Sequence, residues 1–219
     1  MAARQCGDLR HRSRPGDHLG RLRRGPDRQC GRHVLQRARA RGREGQGRVV
    51  SSNLASQNNT IIGNTVLYGA TSGQLYAAGQ AGERFAVRNS GANVVVEGCG
   101  ANGCEYMTGG VAVVLGEVGA NFGAGMSGGM AFVYDPSATF ASRANPESIT
   151  WQRVASRHWE SVLLALIRAH HDATDSKWSG GLLDDWDRIV GHFWQVVPKE
   201  MLTRLSYPLD DTREMVAAE

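Results

Sequence analysis

Four near-copies of one short pattern lie between Tyr68 and Asp135, and they restrict this chain to very few folds. Each copy opens with Ser or Thr followed by Gly, at Ser72-Gly73, Ser90-Gly91, Thr108-Gly109 and Ser127-Gly128, and runs into an apolar stretch. The steps from Gly73 to Gly91, Gly91 to Gly109 and Gly109 to Gly128 are 18, 18 and 19 residues. A unit this short cannot bury its own apolar face, so a fixed period near 20 implies units stacked on one another. The stretches Leu75-Tyr76-Ala77, Val94-Val95-Val96, Ala112-Val113-Val114-Leu115 and Ala131-Phe132-Val133-Tyr134 read as strands, and Gly79, Gly98 and Gly116 close three of them. Gly supplies corners with positive φ that bulkier residues resist. Gly73, Gly91, Gly109 and Gly128 are accordingly expected as structural turn glycines. Short strands, glycine corners and one period describe a mainly β chain: a parallel β-helix, one coil per repeat, followed by short C-terminal α-helices.

Charge divides the chain. The net charge over 219 residues is +4. Residues 1–50 hold 14 Arg, no Lys and 4 acidic residues, a sum of +10, so the remainder sums to −6. That is a chemical boundary near residue 50 rather than a uniformly basic protein. Three readings of residues 1–50 are open: an arm that binds nucleic acid through phosphate neutralisation, a transit peptide, or GC-rich DNA translated out of frame. The segment has no Phe, Tyr or Trp for base stacking, and Ser is scarce for a transit peptide. Arg, Gly, Pro, His and Gln dominate it, as a shifted frame would produce, and nucleic acid is not the favoured partner. In every reading the segment is too poor in apolar residues to fold alone, and disorder is expected. No apolar stretch is long enough to span a membrane, no secretory signal is present, and four Cys at 6, 30, 99 and 104 do not form a disulfide scaffold. A reduced, cytoplasmic protein is the expectation.

The domains expected are an Arg-rich segment over 1–50, a glycine-repeat β-helix over 51–135, a linker over 136–148 and a helical tail over 149–219. The run GANVVVEGCGANGCEYMTGGVAVVLGEVGANFGAGMSGGMAFVYD (91–135), with NTIIGNTVLYGATSGQLYAAGQAGERFAVRNSGA (59–92) before it, resembles the C-terminal glycine-repeat (GXGXG) domain of the large (alpha) subunit of glutamate synthase. The tail ALIRAHHDATDSKWSGGLLDDWDRIVGHFWQVVPKEMLTRL (165–205) is similar to that subunit's last helices. The resemblance implies a right-handed β-helix that spaces and buttresses other domains and carries no chemistry of its own. It implies a parent enzyme that moves the glutamine amide nitrogen to 2-oxoglutarate with a reduced nicotinamide, yielding two glutamates. It also implies FMN and an iron–sulfur cluster held outside this region. The implied partners are flavin-binding and amidotransferase domains of the same subunit and a small nicotinamide-oxidising subunit. Two alternatives stand beside it: a β-solenoid binding or scaffold protein with a basic nucleic-acid-binding arm, and a domain like that of a formylmethanofuran dehydrogenase subunit.

Candidate chemistry is sparse. Gly119 to Gly125 loosely echoes a dinucleotide loop, but such a loop sits between a strand and a long helix; here another glycine turn follows. Cys99 and Cys104 are spaced C-x4-C. A cluster needs three or four thiolates and zinc needs two more ligands, so both read as buried small hydrophobes. Adjacent His170 and His171 point about 100° apart on a helix and cannot share a metal. They read as cations at a helix C-terminus. His158 and His192 beside Trp159 and Trp194 read as packing residues, and Cys6 is not an N-terminal nucleophile. No catalytic, cofactor-binding or metal residue is assigned.

Helical periodicity is read through Ile149, Val154, Trp159, Val162, Leu163, Leu166 and Ile167, and again through Leu182, Leu183, Trp186, Ile189, Val190 and Phe193 up to Pro198. All five Trp (151, 159, 178, 186 and 194) fall in this segment. The expectation is that these helices cap the C-terminal end of the solenoid, while the coil around Ile61-Ile62 lacks an upstream neighbour.

Overall fold

The computed structural model describes residues 46–50 and 55–211, which lie in one compact unit. The expected properties of residues 1–45, including Cys6 and Cys30, lie outside the described residues. Strands β1 (Gln46–Val50), β2 (Thr60–Ile62), β3 (Gln74–Ala78), β4 (Gln80–Ala81), β5 (Ser90–Val96), β6 (Thr108–Val114) and β7 (Gly128–Tyr134) are followed by β8 (Ile149–Arg153). Helices α1 (Arg157–Thr174), α2 (Lys177–Asp184) and α3 (Trp186–Ile189) and strand β9 (Phe193–Pro198) complete the elements used below.

The repeat becomes a β-solenoid of about four coils. Its main sheet runs β1-β3-β5-β6-β7-β9-β8, parallel from β1 through β7 and antiparallel over the last two pairings. Equivalent residues stack: Leu75, Val94, Ala112 and Ala131 form one row, and Ala77, Val96, Val114 and Val133 another. These rows point into the solenoid, where Phe85, Cys104, Met107, Phe122 and Met126 complete the filling. The intervening row of Tyr76, Val95, Val113 and Phe132 points outward and is buried under the helices. A parallel sheet covered on both faces carries continuous rather than alternating apolar runs, which is the pattern of Val94-Val95-Val96. A second wall is thin. It consists of β2 against β4 and single bridges linking Ala81, Cys99 and Val118.

The third corner is built from overlapping tight turns. Residues 65, 67 and 69, then 84, 86 and 88, then 102, 104 and 106, then 121, 123 and 125 all have positive φ. Each coil's alternation serves the ladder between coils. The N–H of Arg84 donates to Ala101 O at 2.8 Å in the following coil, that of Ala86 to Val66 O at 3.0 Å in the preceding one, and that of Arg88 to Glu105 O at 2.9 Å. Asn102, Cys104 and Tyr106 repeat the arrangement with Ala120, Phe85 and Ala124. Within the coil, Val87 N–H reaches Arg84 O and Asn89 N–H reaches Ala86 O, which places positive φ at the third residue of each turn, as a type II turn requires.

The glycines at the repeat anchors differ in their physical reason from the sequence expectation. Gly73 has a φ of 100°. Gly91, Gly109 and Gly128 lie outside the left-handed region. A Cβ on them would fall against the carbonyl oxygens of Thr71, Ser90 and Thr108 of the preceding coil, well inside contact distance. They permit close backbone approach, while the positive φ falls one residue later, on Gly110 (81°) and Gly129 (82°).

Four further expectations are corrected. Residues 1–50 do not end at a clean boundary, because β1 pairs along its whole length with β3. The main sheet therefore begins at β1, the strand that leads into the coil around Ile61-Ile62. Residues 136–148, expected as a linker, continue the stack: Phe122 N–H donates to Arg143 O at 2.9 Å, Asn145 N–H to Phe122 O at 2.8 Å, and buried Phe140 and Ala144 join the inner core. The tail is only partly helical. Ile149–Arg153 and Phe193–Pro198 pair as strands, with Thr150, Val196 and Val197 supplying the β-branched residues that suit a pleated surface. The helices do not cap the end. Helix α1 lies across β1, β3, β5 and β6, on the outer face of the sheet.

Two outcomes follow. Gly109→Val should lower stability by about 1–3 kcal/mol through overpacking against Ser90; urea denaturation measures it, and an unchanged midpoint would mean that the coils can separate at this row. A chain starting at residue 45 should melt like the full chain. One starting at residue 51 loses β1 and should melt several degrees lower, since about 1 kcal/mol moves a midpoint by roughly 2–4 °C at this size.

Candidate functional site

The one charged constellation buried between the layers, among the described residues, centres on Glu97. In the parallel sheet Val95 faces the helices and Val96 the solenoid interior, so Glu97 again faces the helices. Its side chain has no exposure. Oε1 accepts a hydrogen bond from Ser176 Oγ and lies 3.4 Å from His170 Nε2 of α1, whose ring is also fully buried. Ser176 is the N-cap of α2, accepting from Ser179 N–H at 3.2 Å. A carboxylate beside that cap also faces the partial positive charge of a helix N-terminus. Glu97 Oε2 and His170 Nδ1 have no protein partner. His171 Nδ1 lies 3.1 Å from Ser176 O and 3.3 Å from Ser179 Oγ.

Serine, histidine and glutamate meet here without forming a nucleophilic triad. Such a triad runs serine to histidine to carboxylate through one imidazole. Here the carboxylate meets His170 and the serine meets His171, and Ser179 Oγ instead donates to Ser176 O at 3.1 Å. The arrangement joins α1 and α2 to the end of β5 and offers no aligned nucleophile.

Asp135, at the end of β7, plays a similar joining role. Burial pushes its carboxyl up, yet hydrogen bonds from Phe140 N–H, Thr139 and Trp194 Nε1 outweigh this and hold it below the ordinary carboxylate range. Arg153 stacks over Trp194 with its guanidinium carbon 3.6 Å from the ring centre.

The residues singled out from sequence separate accordingly. Cys99 and Cys104 lie in the solenoid core, and burial pushes the Cys99 thiol up to about 12 and Cys104 well above its ordinary value. No group of three or more His, Cys, Asp or Glu among the described residues is placed to hold a metal. Two core thiols do not fit an iron–sulfur cluster, whose ligand set is larger. Gly119 to Gly125 is a solenoid corner, with positive φ at Asn121, Gly123 and Gly125. His170, expected to face the helix C-terminus, lies on the inner face of α1, buried against Glu97. His158 stacks on Tyr207 at 3.5 Å, and His192 meets Tyr134 edge-on. The indoles anchor the tail: Trp178 Nε1 donates to Leu115 O at 2.7 Å, Trp186 Nε1 to Glu160 at 3.0 Å and Trp159 Nε1 to Pro208 O at 3.0 Å. Glu97 and Ser176 were not singled out from sequence. The available signal was an acid in phase with outward-facing Tyr76 and Val95.

Ser176→Ala should cost about 1–3 kcal/mol by removing a helix cap and a partner of a buried carboxylate. Chemical denaturation tests this, and parent-like stability would show that Glu97 is satisfied without the hydroxyl.

No described helix is long and apolar enough to cross a membrane. The chain is similar to the NADPH glutamate synthase large chain of Azospirillum brasilense, with 63% identity over 159 residues, which cover 73% of this chain and 10% of that protein. It is similar to a ferredoxin-dependent glutamate synthase of Synechocystis, with 52% identity over 147 residues (67% and 9%), and to the Bacillus subtilis NADPH enzyme's large chain, with 48% over 148 (67% and 10%). The chain thus spans about a tenth of the length of these relatives. The sequence profile of the GXGXG motif matches residues 45–199, from just before β1 to just past β9, and the chain belongs to the GXGXG motif family.

Proposed function

We propose that this chain serves as the β-helical buttress of a glutamate synthase large subunit and carries out no reaction step itself. The observation that carries this reading is the similarity of residues forming the solenoid and its helical layer to large chains of that enzyme, at 63% identity over 159 residues. The geometry supports it: the buried polar groups tie helices to the sheet, and serine, histidine and carboxylate stay unaligned. The parent reaction would convert glutamine, 2-oxoglutarate and reduced nicotinamide to two glutamates in the cytoplasm. FMN, an iron–sulfur cluster, the amidotransferase domain and a small nicotinamide-oxidising subunit would all lie outside this chain.

The expected outcome is that the purified chain shows no flavin absorbance and no turnover of glutamine with 2-oxoglutarate. Residues 45–199 exchanged for the matching part of a large subunit should preserve that enzyme's activity. Turnover by the isolated chain, or an inactive but folded exchange, would overturn the reading.

A further inference from the structure

One face of the solenoid has no cover among the described residues. The main sheet lies under the helices, whereas the tight-turn corner points outward and carries two exposed aromatic rings, Tyr68 (59% exposed) and Tyr106 (49%). Both belong to one column of side chains. Residues 69, 88, 106 and 125 take the same place in successive coils, as the last positive-φ residue of each corner. Tyr68 precedes the first of them, and the guanidinium carbon of Arg88 lies 5.8 Å from the ring centres of both Tyr68 and Tyr106. Tyr106 in turn rests over Gly125, where a Cβ would fall well inside contact distance of its ring.

Two observations set this column apart from ordinary surface. Arg88 and Tyr106 stand at φ of 53° and 54°, where the coils on either side have Gly69 and Gly125. A side chain on such backbone carries strain that glycine avoids, yet neither side chain is buried in return. The second observation is that the Arg88 guanidinium has no hydrogen-bond or ion-pair partner among the described residues. Neighbouring Arg84 is paired with Glu105 at 2.8 Å. Two rings rather than a carboxylate therefore position Arg88, and its donors remain available.

The chemistry that fits is specific. A guanidinium held against aromatic faces presents a planar fork that a carboxylate meets with two hydrogen bonds. Tyrosine and arginine are also the residues that protein interfaces use as anchors. An outward corner does not enclose a small free acid, but a polypeptide can lie across it. A nucleic acid would need several phosphates neutralised, and residues 51–219 sum to −6; one carboxylate needs only Arg88.

We propose that Tyr68, Arg88 and Tyr106 form a docking ridge for an acidic polypeptide segment, with an Asp or Glu carboxylate on Arg88 and apolar groups against the two rings. The source of that segment rests on the buttress reading: the chain spans about a tenth of the length of its relatives, and the segment belongs to another domain of the same large subunit.

The test places the photo-crosslinker p-benzoylphenylalanine at position 68 of a large subunit that carries residues 45–199 by exchange, and identifies the crosslinked peptide by mass spectrometry. The expected product joins position 68 to a peptide outside the exchanged segment that contains Asp or Glu. Arg88→Gly should lower the yield about tenfold, and Arg88→Lys, which keeps the charge without the fork, should lower it less. In the full chain alone, Arg88→Gly and Tyr68→Ala should melt within about 2 °C of the parent or above it. The proposal is overturned by the absence of a crosslink, by a crosslink within the segment, between two copies or to nucleic acid, or by a partner peptide without a carboxylate. It is also overturned by a yield that Arg88→Gly leaves unchanged, or by a melting midpoint of the full chain that falls several degrees in that variant, which would make Arg88 a packing residue. Failure of the buttress reading is read separately by the activity of the exchanged subunit. An inactive exchange with the acidic crosslink removes that reading and keeps the ridge; an active exchange without the crosslink does the reverse.

Discussion

The close approach of one coil's backbone to the next is the constraint on which the rest of this structure depends. Gly91, Gly109 and Gly128 let the carbonyls of the preceding coil sit where a Cβ would be. With the coils at that separation, the tight-turn corner can send amides alternately forward and backward, as Arg84, Ala86 and Arg88 do. Ala77, Val96, Val114 and Val133 then stack as one inner row. Small residues at the anchors and β-branched residues in the strands are two requirements of one spacing.

The helical layer follows from the outer face. Tyr76, Val95, Val113 and Phe132 would leave a sheet-sized apolar surface exposed, so α1 to α3 are needed as a cover. Glu97 interrupts that face with a charge. Its burial is tolerable because Ser176 donates to it, His170 stands beside it and the α2 N-terminus approaches it. Burying a paired charge rarely adds stability over an apolar residue of similar size. What it adds is register, since α1 and α2 each supply one partner and can meet Glu97 in only one position.

Much of the solenoid was legible because its signal repeats. Four anchors at nearly equal steps specify coils, and Val94-Val95-Val96 specifies a strand covered on both faces. The anchor glycines at 91, 109 and 128 lie inside β5, β6 and β7 rather than at turns, and sequence does not distinguish a positive φ from a close carbonyl at Gly109. The asparagine stack was not read. Asn121 Nδ2 donates to Asn102 Oδ1, and Asn145 Nδ2 to Asn121 Oδ1, each at 2.8 Å, which marks residue 145 as part of a further coil rather than a linker. The tail misled through period. Ile149 and Phe193 fall in step with helical stripes, yet Ile149-Thr150-Trp151 and Phe193 to Val197 pair as strands beyond β7. A short apolar run does not reveal which period its neighbours will impose. Glu97 and Ser176 are 79 residues apart, and only the fold brings them together.

The corner raises an energetic question that its hydrogen bonds answer. Besides glycine and asparagine, Thr65, Leu67, Arg84, Ala86, Arg88, Cys104 and Tyr106 all adopt positive φ there, from 53° to 64°. Each such residue costs roughly 1–2 kcal/mol relative to right-handed backbone. A single coil has nothing to offset that cost, because the amides of Arg84 and Arg88 find their acceptors only in the following coil and that of Ala86 only in the preceding one. In the middle coils, left-handed residues are therefore held by a stacked neighbour on each side. The strain is a cooperative device: it makes an isolated coil unfavourable and ties each coil's conformation to its neighbours'. It also explains how Tyr106 and Arg88 can stand at positions that glycine occupies in the first and last coils, at Gly69 and Gly125. There the fold tolerates a side chain because the ladder, rather than local preference, sets the backbone.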